Sequence, residues 1–128
     1  MTTDLTVRLV NQPGTLLRAT DALARAGVNI EGACAFVCEG QGVYHVLVED
    51  RERAYRALID AGLEVMAERQ VVLVPVEDRP GSGAAVLRVV ADAGANIDLL
   101  YVTIDGRLVL GGNDPSGIRR ALAGPPDR

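Results

Sequence analysis

One segment of this chain occurs twice at a fixed spacing. Residues 11–14 read Asn-Gln-Pro-Gly, and residues 78–81 read Asp-Arg-Pro-Gly. Residues 26–30 (Ala-Gly-Val-Asn-Ile) return as residues 93–97 (Ala-Gly-Ala-Asn-Ile). Pro13 and Pro80 are 67 residues apart, and five further identities share this offset without a gap. The chain is therefore predicted to contain two copies of one small module, residues 1–68 and 69–128.

The first copy predicts the element order β-α-β-β-α-β. Apolar residues alternate with others from Leu5 to Leu9, which is typical of a strand with one buried face. Thr15 is expected to cap the helix that follows, and Gly27 to end it. Asp50 is expected to cap the second helix. The predicted elements are strand 5–10, helix 16–26, strand 28–38, strand 43–48, helix 51–61 and strand 63–66.

The second copy repeats this order but has no residues left for a fourth strand. Strand 70–76 is fully apolar and is expected to be central in its sheet, although Pro75 suggests an edge contact or a bulge near its end. Asp105 and Gly106 predict a two-residue hairpin turn with positive φ angles. The remaining predicted elements are helix 84–93, strand 96–104, strand 107–110 and a helix from Asp114-Pro115 to Leu122.

The composition excludes several functions. The net charge of −4 argues against a nucleic-acid partner, which a basic face would attract. All 13 basic residues are arginines, so lysine-based covalent chemistry is excluded. No apolar run is long enough to cross a membrane, and no secretion signal is apparent. We therefore expect a cytoplasmic protein with no membrane association.

The cysteines and the single histidine give no sign of a metal or catalytic site. Cys34 and Cys38 would lie on one face of a strand, about 13 Å apart at ~3.3 Å per residue. That spacing is too long for a disulfide, and we expect core or hairpin positions. His45 has no matched cysteine or carboxylate cluster. We expect no catalytic residue, no metal and no cofactor.

These features together resemble the ACT domain family. The resemblance rests on a β-α-β-β-α-β module with x-Pro-Gly after the first strand and a helix that ends in Gly-x-Asn-Ile. It covers about residues 5–122, and the chain looks like the small bacterial proteins that consist of two tandem ACT domains. The implied fold is α+β. It consists of two ferredoxin-like modules with antiparallel sheets and helices packed on one face, the second module lacking its last strand.

The resemblance implies regulatory binding of a small molecule, most often an amino acid, at the Pro-Gly loops where two modules pair. The second copy departs from the pattern because Gly83 replaces the leucine of the first. The implied ligand-binding residues are Asn11, Gln12, Pro13, Gly14, Thr15, Leu16, Asn29 and Ile30 in the first copy, and Asp78, Arg79, Pro80, Gly81, Ser82, Asn96 and Ile97 in the second.

The residues independently suit a zwitterion. A glycine after proline lets a ligand approach the backbone, and the start of a helix favours a carboxylate. Asn11 offers both donors and acceptors, while Asp78 could hold an ammonium group and Arg79 a carboxylate. If only one loop is occupied, we expect it to be the first.

Three functions remain open at this point. The leading hypothesis is a non-enzymatic amino-acid sensor that acts allosterically through a partner enzyme or regulator, or through self-association. The alternative is a protein-interaction module that has lost its ligand. An enzyme on this scaffold is disfavoured because the chain shows no nucleophile and base at a matched spacing. The second copy's open sheet edge also predicts a homodimer in which another chain covers it.

Overall fold

The computed structural model describes residues 2–124, which form two compact units with a boundary between Arg69 and Gln70. None of the described helices is long and apolar enough to cross a membrane. The elements are β1 (Thr3–Val10), α1 (Thr15–Arg25), β2 (Gly32–Cys38), β3 (Gln41–Val48), α2 (Arg51–Asp60), β4 (Glu64–Gln70), β5 (Val72–Pro75), α3 (Ser82–Asp92), β6 (Leu99–Val102), β7 (Arg107–Gly111) and α4 (Pro115–Ala123).

The first unit is a four-stranded sheet in the order β2-β3-β1-β4, with β3 antiparallel to both of its neighbours. The alternating residues Leu5, Val7 and Leu9 of β1 are buried. They share one core with Leu23 of α1 and Leu58 of α2, so both helices cover the same face of the sheet. The predicted β-α-β-β-α-β module is confirmed.

The helix ends follow the predicted signals. At the end of α1, the N–H of Gly27 donates to Ala24 O (3.0 Å) and the N–H of Val28 to Leu23 O (2.9 Å). This is the paired arrangement that closes many helices with a glycine. The predicted Asp50 cap of α2 is also confirmed, because its side chain accepts from the N–H of Arg53.

The second unit is a three-stranded sheet in the order β5-β7-β6. Its core includes Val72, Val90, Leu110 and Ile118. The prediction that strand 70–76 is central was wrong, because β5 is an edge strand of this sheet. The strand is apolar because it contributes to the core and not because it is central in the sheet, since Val72 lies in the core beneath α3 and α4. The edge contact suggested by Pro75 is confirmed. Within residues 70–124, no fourth strand extends the sheet beyond β5.

The two hairpins differ in length. Cys38 pairs with Gln41 across a two-residue turn in which Glu39 and Gly40 both have positive φ. The second hairpin was predicted to have a two-residue turn at Asp105-Gly106, and this was wrong. The N–H of Gly106 donates to Thr103 O at 3.1 Å, which makes a three-residue loop with a positive φ only at its glycine.

Several strand limits also differ from the prediction. Strands 28–38 and 96–104 begin later, at Gly32 and Leu99, because residues 29–31 and 96–98 form an irregular connection after each helix. The strand predicted at 63–66 extends to Gln70 as β4. These limits depend on pairing with distant strands, which local periodicity does not report.

Candidate functional site

The first Pro-Gly loop is held by its own backbone and by one hydroxyl group. The N–H of Gln12 donates to Val10 O (2.8 Å), and the hydroxyl of Thr15 donates to Val10 O (2.7 Å) and to Gln12 O (3.1 Å). Gly14 has φ +89°, a conformation that L side chains rarely adopt. The turn after β1 therefore requires a glycine at residue 14.

Thr15 does not cap α1 as the sequence predicted. Gly14 is the N-cap residue, and within residues 2–124 no side-chain hydrogen bond caps the start of the helix. The Thr15 hydroxyl points back to the end of β1, because two carbonyls of the tight turn lie within its reach. The first N–H groups of α1 therefore lack a side-chain partner, which suits an anionic group of a ligand.

A cavity of about 210 Å³ lies between this loop and β2, and we call it the β2-side cavity. Four of the predicted binding residues line it, namely Asn11, Gln12, Thr15 and Leu16. Its apolar wall includes Phe36 and Val37 of β2, residues that are 49% and 54% exposed. The cavity thus combines amide and hydroxyl groups with an apolar surface, as is usual for small-molecule sites.

A larger cavity of about 510 Å³ lies on the other side of the loop, next to the start of β4, and we call it the β4-side cavity. It shares Asn11 and Thr15 with the β2-side cavity. Its wall also contains the charged residues Arg8, Arg18 and Glu64. Sequence reasoning did not select these three, since their proximity depends on where β4 joins the sheet.

Asn29 and Ile30 do not reach the first loop within their own module. Asn29 is exposed and lines neither cavity, and Ile30 packs against the core of the first unit. Pro13 and Gly14 are exposed and shape the turn without lining either cavity. A ligand role for Asn29 and Ile30 remains a prediction that depends on a neighbouring module.

The second loop has the same backbone as the first. Gly81 has φ +91°, and the N–H of Arg79 donates to Glu77 O at 2.9 Å. The side chains differ, because Arg79 forms an ion pair with Glu77 on its own loop. Asp78 and Pro80 are exposed. The predicted carboxylate partner Arg79 is therefore already paired with an acidic neighbour.

The helix start of the second loop also differs from the first. The Ser82 hydroxyl is buried and has no hydrogen-bond partner among the described residues, whereas Thr15 makes two bonds at the matching position. Ile97 packs against the core of the second unit, as Ile30 does in the first. Asn96 precedes β6, and its carbonyl lies close to Gly112. The second loop is therefore less firmly tied to the preceding strand.

A buried polar cluster on the sheet of the first unit was not predicted. His45 Nδ1 lies 3.0 Å from both carboxylate oxygens of Asp4 and 3.3 Å from the hydroxyl of Thr6. Asp4 is fully buried. Burial raises the pKa of the neighbouring Cys34 thiol, and the negative charge of Asp4 raises it further. Cys34 is therefore not an activated nucleophile, and the cysteines are free.

The comparisons with known proteins agree with this fold. Residues 1–118 match the family described as ACT domain pair. The chain belongs to this family. No curated protein matches the chain.

Among solved structures, the chain is similar to protein BT0572 from Bacteroides thetaiotaomicron. The TM-score is 0.84, with 25% identity over 94% of this chain and 85% of that one. It also resembles the ligand-free regulatory subunit of aspartate kinase from Thermus thermophilus, with a TM-score of 0.72 and 20% identity over 95% and 90% of the two chains. Aspartokinase III of E. coli, in complex with lysine and aspartate, matches with a TM-score of 0.56 and 14% identity over 95% of this chain and 30% of that one. The ferredoxin-like ACT fold of both modules is thereby confirmed.

Proposed function

We propose that this ACT domain pair is a regulatory, non-catalytic protein that binds an amino acid at its first Pro-Gly loop. The observation that carries the proposal is the β2-side cavity, where Asn11, Gln12 and Thr15 face an apolar wall next to an uncapped helix start. The helix start suits the ligand's carboxylate, and the amide oxygens suit its ammonium group. The apolar wall suits an aliphatic or aromatic side chain.

Two further observations support a regulatory role. The similar Thermus protein is a regulatory subunit, and the similar E. coli enzyme was solved with lysine and aspartate bound. The output of binding would then pass through a partner enzyme or regulator, or through self-association.

The test is a thermal-shift screen with the twenty amino acids, followed by calorimetric titration of the strongest hit. Asn11→Ala removes the central amide and should weaken binding about tenfold. Asp78→Ala is the matched control at the corresponding position of the second loop, and it should leave affinity unchanged. The proposal fails if no amino acid stabilises the protein, or if Asp78→Ala weakens binding as strongly as Asn11→Ala.

A protein-interaction module is the second candidate, and the exposed strand β2 favours it. This strand lies at one end of the first sheet, and its sequence (Gly-Ala-Cys-Ala-Phe-Val-Cys) has no charge or proline to discourage strand pairing. Stoichiometric co-purification of a partner, with no amino-acid response, would favour this function over the first.

We also propose that the protein is a homodimer in which a second chain covers the open edge of β5. The edge is short and apolar, and it is unpaired on one side in the three-stranded sheet. Sedimentation at micromolar concentration should give twice the mass of the chain. A monomer under those conditions would rule the dimer out.

A further inference from the structure

The β4-side cavity contains a positive charge that the fold does not neutralise. Arg18 extends from α1, and its guanidinium donates to the carbonyl of Ala61 at the end of α2. Within residues 2–124 it forms no ion pair with a carboxylate. A guanidinium carries five N–H donors, so a single carbonyl leaves most of them unused. Arg18 thus offers a planar, permanently charged group to whatever occupies the cavity.

A second arginine enters the same cavity from β1. Arg8 Nε lies 2.8 Å from Glu64 Oε2, so the guanidinium is held at the wall by an ion pair with the start of β4. Arg8, Arg18 and Glu64 are the ionisable residues among those that line the cavity. Two cations and one anion give the wall a formal net charge of +1. A ligand with a single negative charge would balance it.

The rest of the wall defines the ligand's other surface. Leu9 is buried beneath the cavity, and Leu63 and Val10 add further aliphatic surface. The amide groups of Asn11 and Gln41 complete the polar side. The volume of about 510 Å³ lies within the range of small-molecule pockets. The surface therefore suits a small molecule with one anionic group and a short apolar body.

The second module shows that the fold does not need this charged wall. At the same offset of 67 residues, Arg8 and Arg18 correspond to Pro75 and Ala85. The backbone of the loop is nevertheless the same, since Ala85 N bonds to Gly81 O at 3.0 Å as Arg18 N bonds to Gly14 O at 2.9 Å. The loop backbone therefore does not require the two arginines, which leaves them available for a role in binding.

We propose that the β4-side cavity is a separate binding site for a small monocarboxylate, with Arg18 as the residue that holds the carboxylate and the Glu64-paired Arg8 beside it. A carboxylate is favoured over phosphate because the wall carries a net charge of +1 and has an aliphatic side. Arg8, Arg18 and Glu64 line the β4-side cavity and not the β2-side cavity, so this proposal does not depend on the proposed amino-acid binding.

The test is a titration of the full chain with sodium butyrate in low-chloride buffer, followed by NMR of the arginine Nε–H groups. Saturable shifts are expected at Arg8 and Arg18, with a millimolar dissociation constant. Arg18→Gln should weaken binding about tenfold, because a charge-assisted hydrogen bond is lost. Arg25→Gln is the matched control, since Arg25 lies on the same helix, pairs with Asp21 and lies outside the cavity. It should bind butyrate as the wild type does.

Two further probes define the ligand class. n-Butylammonium, which has the same alkyl chain and the opposite charge, should not bind, and inorganic phosphate should bind more weakly than butyrate.

The proposal is overturned if butyrate does not saturate, or if Arg25→Gln and Arg18→Gln weaken binding equally. It is also overturned if Arg18→Gln lowers stability without changing butyrate affinity, because Arg18 then only caps α2. Phosphate binding tighter than butyrate would overturn the carboxylate assignment. Gln12 lines only the β2-side cavity and Arg18 only the β4-side cavity, so an amino-acid titration of Gln12→Ala and a butyrate titration of Arg18→Gln tell the two failures apart.

Discussion

The two Pro-Gly loops have nearly identical backbones and different side chains. Gly14 and Gly81 have φ angles of +89° and +91°, and each accepts the same first hydrogen bond of its helix. Around this common turn, Asn11 of the first loop lines two cavities, whereas Arg79 of the second loop is ion-paired with Glu77. The backbone turn is common to both loops because the fold requires it. The side chains differ, and they can give the first loop a specific function.

The hydroxyl groups at the helix starts show the same contrast on a smaller scale. The Thr15 hydroxyl bonds to the carbonyls of Val10 and Gln12, whereas the Ser82 hydroxyl is buried and has no hydrogen-bond partner within the described residues. Ligand binding costs less conformational entropy when the loop is already held in place. The first loop is therefore better preorganised for ligand binding than the second.

The largest expected effect on stability tests the shared backbone. Valine at residue 14 or 81 must adopt a positive φ, which should cost roughly 1–3 kcal/mol at either position. A Cβ atom at either glycine meets no other atom within 4 Å, so the cost comes from the backbone alone. Urea unfolding of Gly14→Val and Gly81→Val should give losses that agree within about 0.5 kcal/mol. A large difference would show that the two turns are not equivalent.

A smaller effect separates the hydroxyl groups. Thr15→Ala removes two hydrogen bonds and should destabilise the protein by about 1–2 kcal/mol. Ser82→Ala removes a buried hydroxyl that has no partner, so it should be neutral or slightly stabilising. Thr15→Ser keeps the hydroxyl and serves as the control. Equal losses in the free energy of unfolding for Thr15→Ala and Ser82→Ala, measured in urea, would show that the two hydroxyl groups do not differ in this way.

The smallest effect concerns the hairpin of the second module. A hydrogen bond from Thr103 and another from Arg107 hold the pKa of Asp105 below its usual range. The folded state therefore favours the carboxylate. The stabilisation is present above the pKa of the unfolded chain and is lost as the pH falls through the lowered pKa of the folded chain.

Unfolding experiments across the acid range check this. The stability advantage of the wild type over Asp105→Asn should be present at neutral pH and disappear in acid. Thr103→Val removes the principal hydrogen bond and should reduce that pH dependence. If the wild type remained more stable than Asp105→Asn at the lowest pH, the lowered pKa of Asp105 would not be the source of the stabilisation.

Much of the fold could be predicted from the sequence because the signals are local. The Pro-Gly turns, the glycines that end the helices and the Asp50 cap each depend on a few neighbouring residues. The edge position of β5 and the three-residue loop at Asp105 depend on strand pairing, which is not encoded locally. Those two predictions therefore failed.

The candidate site was predictable only in part for the same reason. The loop residues that line the β2-side cavity are adjacent in sequence. Arg8, Arg18 and Glu64 meet only because β4 lies beside β1 in the folded sheet. His45 and Asp4 likewise meet through the pairing of β1 with β3, in which Thr6 is opposite His45. Neither arrangement could be derived from spacing along the chain.

The central claim is that the first loop, and not the second, binds an amino acid. Calorimetric titration of Gly14→Val and Gly81→Val with the most stabilising amino acid tests it most directly, because both variants carry the same strain. We predict one site per chain in the wild type, wild-type affinity in folded Gly81→Val, and loss of binding in folded Gly14→Val, because backbone strain at residue 14 shifts the neighbouring Gln12 and Thr15 that line the β2-side cavity. Two equal sites per chain, or wild-type affinity in folded Gly14→Val, would contradict the claim.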